Sequence, residues 1–186
     1  MKTTIRFGTF ETNSSSTHSL VISNKDRGYT YDFPVDENGV LTVPFGEFGW
    51  GPDILKTPLE KLSYYVTDHR SKDDESVYGD HYKTWDDLLE GISKNEAINK
   101  VIELIKSKCP KVKEVVFKQA SSFYPRGYID HDSVGTSNEV SPEELIFNNG
   151  ILIIIDNDNC CYFSDFTYKE KADKEDLFDC PAEKFL

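Results

Sequence analysis

Basic residues are scarce in this sequence: 21 Lys and Arg stand against 33 Asp and Glu, a formal charge of −12 at pH 7 over 186 residues. This argues against general binding to nucleic-acid backbone, because phosphate contacts need clustered Lys and Arg; only a small local basic patch stays open. The same balance suits an ordinary acidic protein, a mimic of nucleic acid, or a protein that docks on a basic partner. Long apolar runs are also missing. The longest, Ile151–Ile155, falls far short of the ~18 to 20 residues that span a bilayer, so no membrane association is expected. The first residues have a basic start but neither an apolar segment of ~7 to 15 residues nor a small-residue cleavage pattern, which argues against a secretory leader and for the cytoplasm. Cysteine is sparse as well. Cys109, the adjacent Cys160 and Cys161, and Cys180 show no CxxC spacing, and a chain this long needs no staples, so neither a disulfide framework nor a zinc ribbon is expected.

There is enough apolar material for a core. The chain is 38% hydrophobic and 13% aromatic, at a length where roughly 70% of the unfolded surface is buried on folding. Without repeats or low-complexity tracts, it reads as one globular domain over 1–186, with an acidic surface loop at 68–83 and a peripheral tail at 169–186.

The element pattern predicts an α+β fold with β-hairpins and a mixed or antiparallel sheet packed by two or three helices. Ser19–Ser23 reads as a short buried strand, and Tyr29–Phe33 with Val40–Val43 flank the turn Asp36-Glu37-Asn38-Gly39 as a hairpin. Pro44–Pro52 is a loop with three glycines. Thr57-Pro58-Leu59-Glu60 opens a helix running to Thr67, with an N-cap, Pro at the first position and Glu closing a capping box. Asp68–Asp87 is rich in acids and poor in aliphatics, so it reads as an exposed loop. Thr84-Trp85-Asp86-Asp87 resembles an N-cap, and Ser93-Lys94-Asn95-Glu96 a capping box for a helix that buries Ile98, Val101 and Ile105 and ends at Lys108 before Pro110. Val112–Lys118 reads as a buried strand. Ser141–Glu144 starts a short helix, and Ile151–Ile155 with Cys161–Phe163 frame a second hairpin around an Asp-Asn turn.

One stretch is not what a packed core asks for. Glu11-Thr12-Asn13-Ser14-Ser15-Ser16-Thr17-His18-Ser19 puts nine polar residues between strand-like segments, where a hairpin turn needs two to five. Thr12, Asn13, Ser14, Ser15, Ser16 and Thr17 offer hydroxyls, amides and turn-forming backbone to an anion, as phosphate-binding loops do, although the Gly-Lys of a Walker loop is missing. Glu11 and His18 add a general base or acid. A solvated Ser-rich loop with a capping role has the same composition.

The run Gly8–Ser19 resembles the N-terminal signature of an uncharacterised family found in phages and in prophage regions of bacteria. Members also carry segments similar to Phe45-Gly46-Glu47-Phe48-Gly49-Trp50 and to Tyr128-Ile129-Asp130-His131-Asp132-Ser133, with Gln commonly standing where Asp132 stands here. The resemblance implies a mobile-element context, hence a bacterial host cell, and a shared site; it implies no reaction.

In Asp130–Ser133 the carboxylates favour protonated His131, so Asp130, His131 and Ser133 join the candidate site; a surface turn is the plainer alternative. The two-histidine phosphoesterase template fits poorly, because His18-Ser19-Leu20 has Leu where a hydroxyl belongs. Phe45, Phe48 and Trp50 suit either stacking of a base or sugar or a lid over their own core. Asp156–Asn159 lacks the Gly and Glu that complete a calcium loop and reads as a turn. His69 and His81 read as exposed, and no metal site is expected.

Two classes of function follow. In the first, Glu11–Ser19 and Asp130–Ser133, roofed by the loop ending at Trp50, bind or process a phosphate-containing, nucleotide-like small molecule; an enzyme of this kind is a hydrolase or transferase acting on a phosphate ester or nucleotide. Glu11, His18, Asp130 and His131 then move protons while the hydroxyls hold the anion. In the second, a non-enzymatic acidic effector docks on a basic bacterial protein through its carboxylates.

Overall fold

A computed structural model describes residues 5–6, 16–22, 29–49, 53–72, 84–121, 126–129 and 140–157. Along the chain these form β1 (Ile5–Arg6), β2 (Ser16–Ile22), β3 (Val40–Pro44), β4 (Glu47–Phe48), β5 (Asp53–Leu55), α1 (Pro58–Lys72), α2 (Trp85–Lys94), α3 (Glu96–Lys108), β6 (Glu114–Lys118), β7 (Tyr128–Ile129), α4 (Pro142–Phe147) and β8 (Ile151–Asn157). The fold is α+β. A four-stranded antiparallel sheet has the order β1-β2-β8-β5, while β3 pairs with β6 and β4 with β7 in two short parallel ladders. Among the described residues no helix is long and apolar enough to cross a membrane.

β8 is the central strand because its sequence leaves no face for water. Ile151–Ile155 are all buried, and an isoleucine side chain is worth about 1.5–3 kcal/mol when fully buried. On its two edges lie β2, in register from Ser16↔Asn157 to Ile22↔Ile151, and β5, from Asp53↔Ile155 to Leu55↔Ile153. Asp156 and Asn157, expected in a turn, therefore continue the strand. Both edges of Ile153–Ile155 are occupied by β2 and β5, so the expected hairpin is not made beside them; its other half, Cys161–Phe163, lies outside the described residues.

The first hairpin is also corrected. Its turn forms: the Asp36 carboxylate accepts from the N–H groups of Asn38 (2.9 Å) and Val40 (2.8 Å), and Gly39 takes φ 83°. The strands beyond it part, leaving a single Val35↔Leu41 bridge. β3 pairs along its length with β6, and Tyr29–Thr30 are held at the end of α4 by a Tyr29↔Asn148 bridge and a Thr30 N–H to Phe147 carbonyl bond of 2.8 Å.

Caps set the helix boundaries. Glu60 accepts from the N–H groups of Lys56 and Thr57 while the Thr57 hydroxyl accepts from Glu60 N–H, the reciprocal box expected there. Thr84 and Asp87 make the same box on α2. At the next junction Asn95, not Ser93, is the N-cap of α3. Its side chain accepts from Ile98 N–H at 2.9 Å, while the Ser93 hydroxyl donates back to Glu90.

α1 departs furthest from expectation. It runs to Lys72, five residues past Thr67, and the eight residues Lys61–Asp68 are all buried. Asp68, expected in the acidic surface loop, is 1% exposed. Buried polar groups must find partners. The Ser63 hydroxyl donates to the Pro44 carbonyl at 2.7 Å, and Thr67 Oγ1 donates to the Ser63 carbonyl while accepting from Gly46 N–H. Lys61 Nζ donates to the carbonyls of Asn148 (2.8 Å) and Ile151 (3.3 Å), fastening α1 to the turn between α4 and β8. β6, by contrast, is only partly buried, because one of its faces is open.

Candidate functional site

The polar run contributes strand where a loop was expected. Ser16, Thr17, His18 and Ser19 are the first four residues of β2, drawn into the ladder because β8 extends through Asp156 and Asn157 to meet them. Ser16 stands opposite Asn157, Thr17 opposite Asp156 and His18 opposite Ile155. On the far side of Ile155 stands Asp53. His18 and Asp53 thus occupy one row of the sheet, two strand spacings or about 10 Å apart at Cα. This end of the sheet gathers two hydroxyl residues, an imidazole residue, two aspartates and an asparagine, whereas Leu20–Ile22 and Ile151–Ile153 at the other end are all aliphatic, with Arg6 of β1 opposite Leu20. The Asp53 carboxylate is exposed and accepts from Ile54 N–H at 2.7 Å.

Two of the three segments that carry the resemblance meet through backbone pairing. β4 lies in Phe45–Trp50 and β7 opens Tyr128–Ser133, and they pair as Glu47↔Tyr128 and Phe48↔Ile129. Five residues after Phe48, Asp53 stands in the row of His18. The middle segment is therefore strand-paired to the third and leads directly into the sheet that holds the first. The close approach depends on two glycines. Gly127 has φ 70°, and a Cβ there would lie 2.4 Å from the Gly46 carbonyl oxygen, which accepts from Tyr128 N–H at 2.8 Å.

Glu11, Thr12, Asn13, Ser14, Ser15, Trp50, Asp130, His131 and Ser133 lie outside the described residues. Of the aromatic roof, Phe45 and Phe48 point into the core. Phe45 stacks on Phe117 with centroids 5.5 Å apart and meets the Trp85 edge at 6.0 Å, while Phe48 lies against Tyr64 at 5.0 Å. The loop is held inward by its bonds to Ser63 and Thr67, so the stacking role expected of these two rings falls away.

His69 is corrected too. Expected in solvent, its side chain is 13% exposed, stacked on the Tyr65 ring at 3.9 Å, with Nδ1–H donating to the Tyr65 carbonyl at 2.9 Å. That bond leaves Nε2 as the basic nitrogen when the ring is neutral. Asp68 Oδ2 is 3.9 Å from Nδ1. Burial, followed by the Asp68 charge, raises the Tyr65 hydroxyl above its ordinary pKa. Lys61, fully buried, is brought down to about 8 by desolvation, against a smaller opposing pull from Glu60. Neither Lys61 nor Asp68 stood out in the sequence as buried. No local signal marked them, because Glu60, Ser63 and Thr67 fall on one side of the helix as they would on a solvated face.

Among the described residues no three His, Cys, Asp or Glu side chains converge as a metal site would require. Compared with known proteins, the chain matches no family model, no curated protein and no solved structure.

Proposed function

We propose that this chain binds a phosphate-containing, nucleotide-like small molecule at the polar end of the four-stranded sheet, with Ser16 supplying a hydroxyl to the phosphate and His18 exchanging a proton with it. The observation that carries this reading is the pairing of His18 and Asp53 with the same residue, Ile155, which sets an imidazole residue and a carboxylate residue in one row at the sheet end that also holds Ser16, Asp156 and Asn157. A polar end beside the aliphatic strand Ile151–Ile155 supplies donors on a rigid scaffold, which favours a binding site over a solvated turn. In this reading Glu11 and His131 complete the proton-transfer set, and hydrolysis or transfer at a phosphate ester is the chemistry they suit. The resemblance to phage and prophage proteins supports reading this as a mobile-element protein acting in a bacterial cytoplasm.

The charge of −12 favours a second reading, an acidic effector docked on a basic protein. It ranks lower because exposed carboxylates on α2 and α3 are matched locally. Glu90 lies against Lys94, Glu96 against Lys100 and Glu103 against Lys106, while Asp87 caps α2.

Thermal denaturation of the full chain with ATP, cyclic AMP, NAD and ribose 5-phosphate, each with and without Mg²⁺, separates the two. A ligand at a hundredfold excess over Kd adds about 2.7 kcal/mol, which raises the midpoint by about 5–10 °C at this chain length. The expected result is a rise with one of these compounds that His18→Ala abolishes while its unliganded midpoint stays near the parent's. Silence across the panel, or an equal rise in His18→Ala, overturns the reading; silence turns attention to a basic protein partner.

A further inference from the structure

A second candidate site lies away from the polar sheet end, where β5 runs into α1. There an open cleft of about 820 Å³ is lined by Lys56, Thr57, Leu59, Asp32, Lys111 and Asn149, among others. Its volume is that of a small-molecule site. Its walls are of two kinds. Phe33, Pro34, Val35, Pro58 and Leu59 form an apolar side, and Thr30, Thr57 and Asn149 bring hydrogen-bonding groups to the remainder.

The charge at this cleft runs against that of the chain. Two lysines and one aspartate line it in a protein of net charge −12. Asp32, 81% exposed, is bonded to Lys111, so one cation is held in place by a carboxylate that itself stays largely in water. Partly desolvated ammonium groups beside an apolar wall favour an anion with an apolar body, because each charge is screened less than it would be in bulk water.

We infer that the cleft between Lys56 and Lys111 binds a small organic anion, its carboxylate or phosphate taken by the two lysines and its apolar part lying on Pro34, Val35 and Leu59. This site is separate from the sheet end that carries the proposed function. Lys56 and Asn149 lie at the opposite ends of β5 and β8 from Asp53 and Asp156.

Phenyl phosphate and benzoate serve as probes, with benzyl alcohol as the neutral control, titrated into the full chain and followed by calorimetry and by amide shifts of Lys56, Lys111 and Asn149. One or both anions are expected to bind saturably below about 10 mM and benzyl alcohol at least roughly tenfold more weakly; which anion binds better tells carboxylate from phosphate. Lys56→Gln should weaken binding several-fold. Asp32→Asn should tighten it, since it removes the competing carboxylate and releases Lys111, and a gain in affinity cannot arise from damaged folding. His18→Ala should leave it unchanged, so this inference and the proposed function fail separately. The inference is overturned if neither anion saturates, if benzyl alcohol binds as well as they do, or if Asp32→Asn weakens binding.

Discussion

His18 and Asp53 face the same residue from opposite sides: each is the register partner of Ile155, one through β2 and the other through β5. A residue expected in a polar loop is thereby fixed to a strand whose residues Ile151–Ile155 are all buried. Strand amides in a ladder are protected from exchange, whereas loop amides are not. In hydrogen exchange, alternate amides between Ser16 and Ile22 should therefore be slowed with those of β8. Uniformly fast exchange at Ser16–Ser19 would contradict the strand.

Lys61 makes stability depend on alkaline pH in a definite direction. Its folded pKa of about 8 lies below the ordinary lysine value of 10.5, so between these values the unfolded chain holds the extra proton and stability rises with pH. The rise from pH 7 to 9.5 should be about 2 kcal/mol. Tyr29 and Tyr65, both raised, act in the opposite sense only from about pH 10 upward. Urea denaturation of the parent and of Lys61→Met across pH 7–9.5 checks this. The slope should vanish in the variant, and a parent whose stability is flat or falling over that window would rule the account out.

Two glycines should respond to alanine with opposite signs. Gly127 is held at φ 70° with a backbone oxygen 2.4 Å from where a Cβ would sit, so Gly127→Ala should cost at least about 2 kcal/mol. Gly91, exposed in the middle of α2, has nothing within 4 Å of a Cβ, and Gly91→Ala should gain about 0.8–1 kcal/mol. Thermal midpoints of both variants decide the matter.

Phe45→Ala should cost about 3–5 kcal/mol, because the ring fills space between Phe117 and Trp85. A ring kept for ligand stacking would instead be removable with little loss of stability. Equilibrium denaturation tells the two apart.

Local signals in the sequence carried as far as local chemistry reaches. The boxes at Thr57–Glu60 and Thr84–Asp87, the cap at Ser141, the buried face of α3 and the turn at Asp36–Gly39 all form where their residue types demand. What failed was pairing between distant segments. Val40–Pro44 is equally suited to the strand before its turn and to β6, and the choice is made by what packs behind it, which alternation does not encode. Ser16–Ser19 look like a loop by composition and become strand because Asp156–Asn157 lie opposite them. Asp68 and His69 look solvent-facing by charge, yet Asp68 is buried and His69 largely so because α1 is enclosed by β3, β7, α3 and α4. At the candidate site, the identity of the polar residues was legible and their partners were not.

The central claim is that a phosphate-bearing ligand binds at the sheet end containing His18. Amide shift mapping of the ¹⁵N-labelled full chain against ATP, cyclic AMP, NAD and ribose 5-phosphate tests it most directly. At least one of these is predicted to shift the amides of Ser16–His18 together with those of Asp53, Asp156 and Asn157, saturably and not in His18→Ala. Saturable shifts centred elsewhere, or none with any of the four, would contradict it.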